Sequence, residues 1–146
     1  MTRAKAELRG HILFGDDNEV IQAVVKEAAQ ARGFQVSCAS TGADTFAVAI
    51  ETQPDLIVLD IQFEDADGRD VLSRLKADDR TADIPVVVWS GRKGRDSDRR
   101  ISLDLGAEDY VEKSEVTFLL GKLERILLRL SEPARGRSLP GRARTF

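Results

Sequence analysis

A single cysteine, Cys38, in a chain of 146 residues excludes an internal disulfide and fits a reducing compartment. Within the alternating stretch Phe34-Gln35-Val36-Ser37-Cys38 it reads as a small buried hydrophobe. The one histidine, His11, has no second histidine or cysteine beside it, which argues against a zinc-type site. No apolar run approaches the roughly 20 residues of a membrane span, and Met1 to Gly10 lacks the apolar stretch of a signal peptide. A soluble cytoplasmic protein is expected. No segment repeats, and the length suits one domain, which argues against a large two-domain enzyme. After residue 130 there is almost nothing to bury: Pro133, Gly136, Pro140, Gly141 and four arginines read as a disordered tail over 131–146. That tail carries +3, so the formal net charge of −3 leaves −6 on residues 1–130. Nucleic acid is not an expected partner, beyond weak, salt-sensitive contact through those arginines.

What the chain does contain is a repeated alternation of short apolar runs and amphipathic stretches. His11 to Gly15 reads as a strand, and Asn18 to Arg32 as a helix with Val20, Ile21, Val24, Val25 and Ala28 at helical spacing, stopped by Gly33. Phe34 to Ala39 is a second strand, and Thr41 to Thr52 a second helix that Ser40 or Thr41 can cap. Leu56 to Leu59 is continuously apolar, as a strand covered on both faces requires, and Ile84 to Trp89 repeats that signature after a helix over Gly68 to Ala77. A polar helix from about Gly94 to Leu105 ending at Gly106, a strand Asp109 to Glu112 and a helix from about Glu115 to Leu130 complete five strand–helix units. Connections too long for hairpins then imply a parallel sheet with helices on both faces.

Four of the apolar runs end on residues suited to phosphate and cation chemistry: Asp16-Asp17, Asp60, Ser90 and Lys113. In an open α/β sheet, ligands bind outside the carboxyl ends of the strands, so these side chains are expected to converge. Three carboxylates cannot all stay ionised there without compensation, and hard oxygen donors suit Mg²⁺. Lys113 can hold a phosphoryl oxygen and Ser90 can donate a hydroxyl. Asp60 stands alone after its strand, which marks it as the nucleophile of an aspartyl phosphate. Taken singly, Asp16 and Asp17 also suit a helix N-terminus, Asp60 a turn, and Tyr110 and Trp89 a core.

Residues 10–130, preceded by an extension at 1–9, resemble the chemotaxis-regulator-like receiver domain of two-component response regulators. The motifs are Phe14-Gly15-Asp16-Asp17-Asn18-Glu19, Pro54 to Asp60 with Asp67-Gly68 following, Val86 to Gly91, and Gly106 to Lys113. The resemblance implies an α/β, flavodoxin-like (βα)₅ fold with a five-stranded parallel sheet in the order 2-1-3-4-5. It implies a stand-alone phosphorylation switch, not an enzyme beyond its own phosphorylation and dephosphorylation. The phosphoryl group would pass from a histidine kinase or phosphotransfer protein to Asp60, with output through binding of a downstream protein. Mg²⁺ would be held by Asp17, Asp60 and the main-chain carbonyl of Gln62, with Asp16 acting through water. Ser90, Lys113 and the Gly91 amide would contact phosphoryl oxygens, and Tyr110 matches the aromatic that moves inward with Ser90.

The chain departs from the family pattern where prolines are common, carrying Ser114 after Lys113 and Glu64 four residues after Asp60. Without proline, a cis peptide after Lys113 loses its usual support. Gly91 to Leu105 looks about one residue long and is highly charged, so an atypical output contact across the fourth helix, fifth strand and fifth helix is expected. Two other functions fit parts of this pattern. A phosphorylation-independent scaffold does not need the acid, hydroxyl and lysine set; a Mg²⁺-dependent phosphohydrolase needs a second acid where Gln62 stands.

Overall fold

Strand formation follows the apolar runs, and helix formation the amphipathic ones. The computed structural model describes residues 9–91 and 96–131. Its elements are β1 (His11–Gly15), α1 (Glu19–Ala31), β2 (Gln35–Ala39), α2 (Gly42–Thr52), β3 (Leu56–Leu59), α3 (Gly68–Ala77), β4 (Val86–Ser90), α4 (Asp96–Asp104), β5 (Asp109–Glu112) and α5 (Val116–Ser131). The five strands form one parallel sheet in the order β2-β1-β3-β4-β5, as expected. Of the expected extension only Arg9 is described, with its guanidinium 2.6 Å from Glu124; the expected tail lies outside the described residues apart from Ser131.

Side chains of successive strand residues alternate between two cores. On one face Ile12, Phe14, Val58, Val87 and Trp89 meet Val25 and Ala29 of α1 and Leu119, Leu120, Leu123 and Ile126 of α5. On the other, Leu13, Ile57, Leu59, Val86, Val88 and Tyr110 meet Ala49 of α2 and Val71, Leu72 and Leu75 of α3. Every residue of β3 is buried, so its sequence has no polar alternation to show.

Helix ends are set by local chemistry. Asn18, Thr41 and Asp67 are the N-caps of α1, α2 and α3, each accepting a backbone N–H of the first turn. Gly33 and Gly106, the two expected stops, have φ of 94° and 110°.

Several expected boundaries need correction. Phe34 lies outside β2 because its N–H is taken by the Ala29 carbonyl at the end of α1. β4 begins after Pro85, which lacks an N–H, and runs on to Ser90, whose carbonyl accepts the Lys113 N–H at 2.7 Å. The fourth helix is described over Asp96–Asp104; residues 94 and 95, where the expectation began it, lie outside the described residues. Cys38 is only partly buried, because β2 is an edge strand. Trp89 is core, 2% exposed and tilted against Phe14. No cis peptide occurs among the described residues, the Lys113-Ser114 bond included.

Leu72 and Leu123 are each fully buried, on opposite faces of the sheet. Leu72→Ala and Leu123→Ala should each cost about 2–5 kcal/mol. Because the sheet separates the two cavities, the double mutant should show the sum within about 0.5 kcal/mol by urea denaturation. A larger discrepancy would mean that the two cores repack together.

Candidate functional site

At the carboxyl edge of the sheet, the ends of β1 and β3 lie side by side, since Gly15 pairs with Leu59 in register. The residues that follow, Asp16 and Asp60, are therefore neighbours, and both are buried, at 1% and 7% exposure. Asp17 is more exposed. One carboxylate oxygen from each of Asp16, Asp17 and Asp60 lies within 4.8 Å of the others, the sole such acidic trio among the described residues. Lys113, just beyond β5, reaches back across the sheet edge. Its ammonium donates to Asp16 Oδ2 at 2.8 Å and lies 3.4 Å from Asp60 Oδ2. Asn18, Gln62, Phe63 and Glu64 complete the walls of this hollow.

Burial pushes the Asp60 carboxyl above the usual aspartate range; the Lys113 charge pulls it down and Asp16 pushes it up again. For Lys113, burial works to lower the pKa, but the hydrogen bond to Asp16 and the charges of Asp60 and Asp16 outweigh it and hold the ammonium above the ordinary lysine value. Among the described residues, three carboxylates thus face one ammonium in a partly dry hollow. The set fits a small divalent cation, because the oxygens are hard donors already within mutual ligand distance and their repulsion is under-compensated.

The remaining expected site residues sit around this centre. Ser90 ends β4 beside β5 and is fully buried, and it does not line the hollow. Gly91 is exposed, and a Cβ there would meet nothing closer than the Lys113 side chain at 3.8 Å. Tyr110 is 5% exposed, its ring already packed within the core on the α2–α3 side, and its carbonyl accepts from Arg99 of α4 at 3.0 Å. The Gln62 amide donates to Asp60 Oδ1 at 3.3 Å, and Gln62 forms an isolated bridge with Asp67. Gly68 is required beside it: a Cβ would lie 2.1 Å from the Asp60 carbonyl oxygen.

Sequence reasoning missed three supports. The side chain of Gln22 donates to the Asp16 carbonyl and, at 3.0 Å, to Ser40. The Glu64 N–H donates to Asp17 Oδ2 at 3.1 Å, and the Asp65 carboxylate accepts from the first amides of α2. These are bonds between main chain and side chain across distant segments, which leave no spacing pattern to find.

Comparison with known proteins agrees with the fold. Residues 12–122 match the family model described as the response regulator receiver domain. The DNA-binding dual master transcriptional regulator RpaA of Synechocystis is 37% identical over 119 residues, 81% of this chain and 49% of the relative. The transcriptional regulatory protein PrrA of Mycobacterium leprae is 40% identical over 118 residues, with the same two shares, 81% and 49%. The chain thus spans about half the length of these relatives. Among solved structures, the receiver domain of Francisella response regulator 1452 superposes with a TM-score of 0.77 over 84% of this chain and 100% of its own; at 21% identity it attests the fold alone. A CheY-like receiver domain protein of Methanospirillum hungatei, 25% identical, gives 0.74 over 82% and 94%.

Because Asp60 titrates above its unfolded value, the folded protein binds a proton there more tightly than the unfolded chain does. The ionised carboxylate therefore costs stability above the folded pKa, and that cost fades as the pH falls through it towards 3.8. Asp60→Asn should raise the melting temperature of the metal-free protein at neutral pH, with the advantage vanishing below the ordinary aspartate range. An unchanged or lower melting temperature at neutral pH would contradict this account of the electrostatics.

Proposed function

Since the chain belongs to the response regulator receiver domain family, we propose that it is a phosphorylation switch whose acceptor is Asp60. The observation that supports this most is the convergence of Asp16, Asp17 and Asp60 with the Lys113 ammonium at the carboxyl edge of the sheet. Asp60 offers its carboxylate to the phosphorus of a phosphohistidine; the new P–O bond forms as the P–N bond to the imidazole breaks. Lys113, already 3.4 Å from Asp60 Oδ2, neutralises the incoming phosphoryl oxygens. Ser90 supplies a hydroxyl donor and the Gly91 amide a second one. Asp17, Asp60 and the main-chain carbonyl of Gln62, with Asp16 through water, would hold Mg²⁺. When bound, the ion balances the excess negative charge and aligns the phosphoryl oxygens.

The donor partner is a histidine kinase or phosphotransfer protein. Output is phosphorylation-dependent protein binding in the cytoplasm, through the surface of α4, β5 and α5, with Tyr110 coupling the site to it. The curated relatives are named as transcriptional regulators and this chain matches about half of their length, so whether the output reaches DNA depends on the whole protein. No helix among the described residues is long and apolar enough to cross a membrane. The phosphoryl group is kept on the protein rather than turned over on a substrate, so the chain acts as a switch and not as an enzyme for outside phosphoesters.

Incubation with Mg²⁺ and acetyl phosphate should add one phosphoryl group by intact mass, and Asp60→Asn should abolish the addition. Lys113→Ala should slow it by about 100-fold or more, the usual cost of removing one charge-stabilising donor. Failure of the wild type to form an adduct at saturating Mg²⁺ would overturn the proposal, as would steady hydrolysis of unrelated phosphoesters.

A further inference from the structure

The loop from Ile61 to Asp67, between β3 and α3, carries Gln62 over the acidic hollow, and it is tied at both flanks. On one side the Glu64 N–H donates to Asp17 Oδ2 at 3.1 Å, a bond that a proline at position 64 could not make. On the other side Asp65 reaches to α2, where Oδ1 accepts the Gly42 N–H at 2.9 Å and Oδ2 accepts the Ala43 N–H at 3.3 Å. Phe63, next to Glu64, is buried, and its N–H closes a turn onto the Ala66 carbonyl.

Asp65 does more than start α2. The helix has its own N-cap in Thr41, whose Oγ1 takes the Asp44 N–H at 2.9 Å. That leaves the Gly42 and Ala43 amides of the first turn, and a carboxylate from another segment takes both. The hydrogen bond from Gly42, with Ala43 adding to it against a small cost of burial, holds the Asp65 carboxyl below the usual aspartate range. The negative charge therefore persists at neutral pH.

We propose that Asp65 is a positioning residue: its clamp on the N-terminus of α2, with the Glu64 amide on Asp17, holds the loop so that the Gln62 main-chain N–H stays on Asp60 Oδ1 at 3.3 Å, and so sets the protein's affinity for the divalent cation. The inference rests on the reading of this hollow as a Mg²⁺-dependent phosphorylation site. Proline stiffens a loop by restricting φ; here two hydrogen-bonded ties at 64 and 65 do so instead. Loosening the clamp frees the loop that carries Gln62 and Glu64, while Asp16, Asp60 and Lys113 keep their bonds to one another.

The test compares wild type, Asp65→Ala, Asp65→Glu and Thr41→Ala by calorimetric titration with MgCl₂ alone and by the rate of adduct formation from acetyl phosphate as Mg²⁺ is varied. Asp65→Ala should raise the half-saturating Mg²⁺ concentration about tenfold, as loss of an outer partner of a metal ligand does, while the rate at saturating Mg²⁺ stays unchanged. Asp65→Glu should recover part of the affinity. Thr41→Ala removes the local cap of α2 and should lower the melting temperature without moving the Mg²⁺ dependence. Equal Mg²⁺ affinity in wild type and Asp65→Ala overturns the inference alone, as does an equal shift in Thr41→Ala. A wild type that binds no Mg²⁺ and forms no adduct overturns the reading of the site and this inference with it.

Discussion

Unbalanced charge at the carboxyl edge of the sheet is the constraint on which the rest of this structure depends. Asp16, Asp17 and Asp60 face one another within ligand distance, and among the described residues one ammonium, from Lys113, answers them. In a partly dry hollow such an excess is costly, and here burial raises the Asp60 carboxyl even with Lys113 beside it. A fold optimised for stability alone would not collect these groups. Their gathering leaves the hollow prepared for positive charge from a cation and for a phosphoryl group that the cation and Lys113 can share.

Holding such a group together requires a rigid frame, and the parallel sheet supplies it. Registered pairing fixes the ends of β1 and β3 beside each other, and two cores clamp the sheet from both faces. Rigidity then extends outward in steps. Gln22 steadies the carbonyl of Asp16, Gly68 lets α3 approach the Asp60 carbonyl, and the ties at Glu64 and Asp65 hold the loop that lies over the acids.

How much of this was legible in the sequence depended on whether the information was periodic. β1, β3, α3 and β5 match their expected bounds, because burial on both faces or one clean amphipathic stripe leaves a pattern in consecutive residues. The limits of β2 and β4 shifted by one or two residues because pairing, rather than apolarity, ends a strand: Phe34 lends its N–H to α1, and Ser90 joins the ladder although polar. The acids and Lys113 were legible because the ends of parallel strands must share one edge. The Asp65 clamp was not, since a carboxylate that caps a helix some twenty positions away has no local signature. Tyr110 shows the same limit: sequence places the aromatic on β5, while only packing shows its ring already inside the core.

β5 is the route by which a change at the hollow can reach the surface. The Lys113 N–H is bonded to the Ser90 carbonyl, so the ammonium that answers the acids and the hydroxyl at the end of β4 belong to paired strand ends. Three residues back on the same strand, the Tyr110 carbonyl is held by Arg99 of α4, while Asp109 meets Arg99 at 3.8 Å and Lys122 of α5 at 3.1 Å. The Lys113 ammonium lies 3.4 Å from Asp60 Oδ2, and its residue follows directly on β5. Both flanking helices are tied to that short strand by charged bonds, and α5 also packs Leu119, Leu120, Leu123 and Ile126 into the core. Arg69, which lies 2.8 Å from the α3 cap Asp67 and 3.5 Å from the buried Asp98 of α4, gives the acidic loop a second hold on the same helix. α4 is thereby gripped from both sides of the site, by β5 and by the loop after β3.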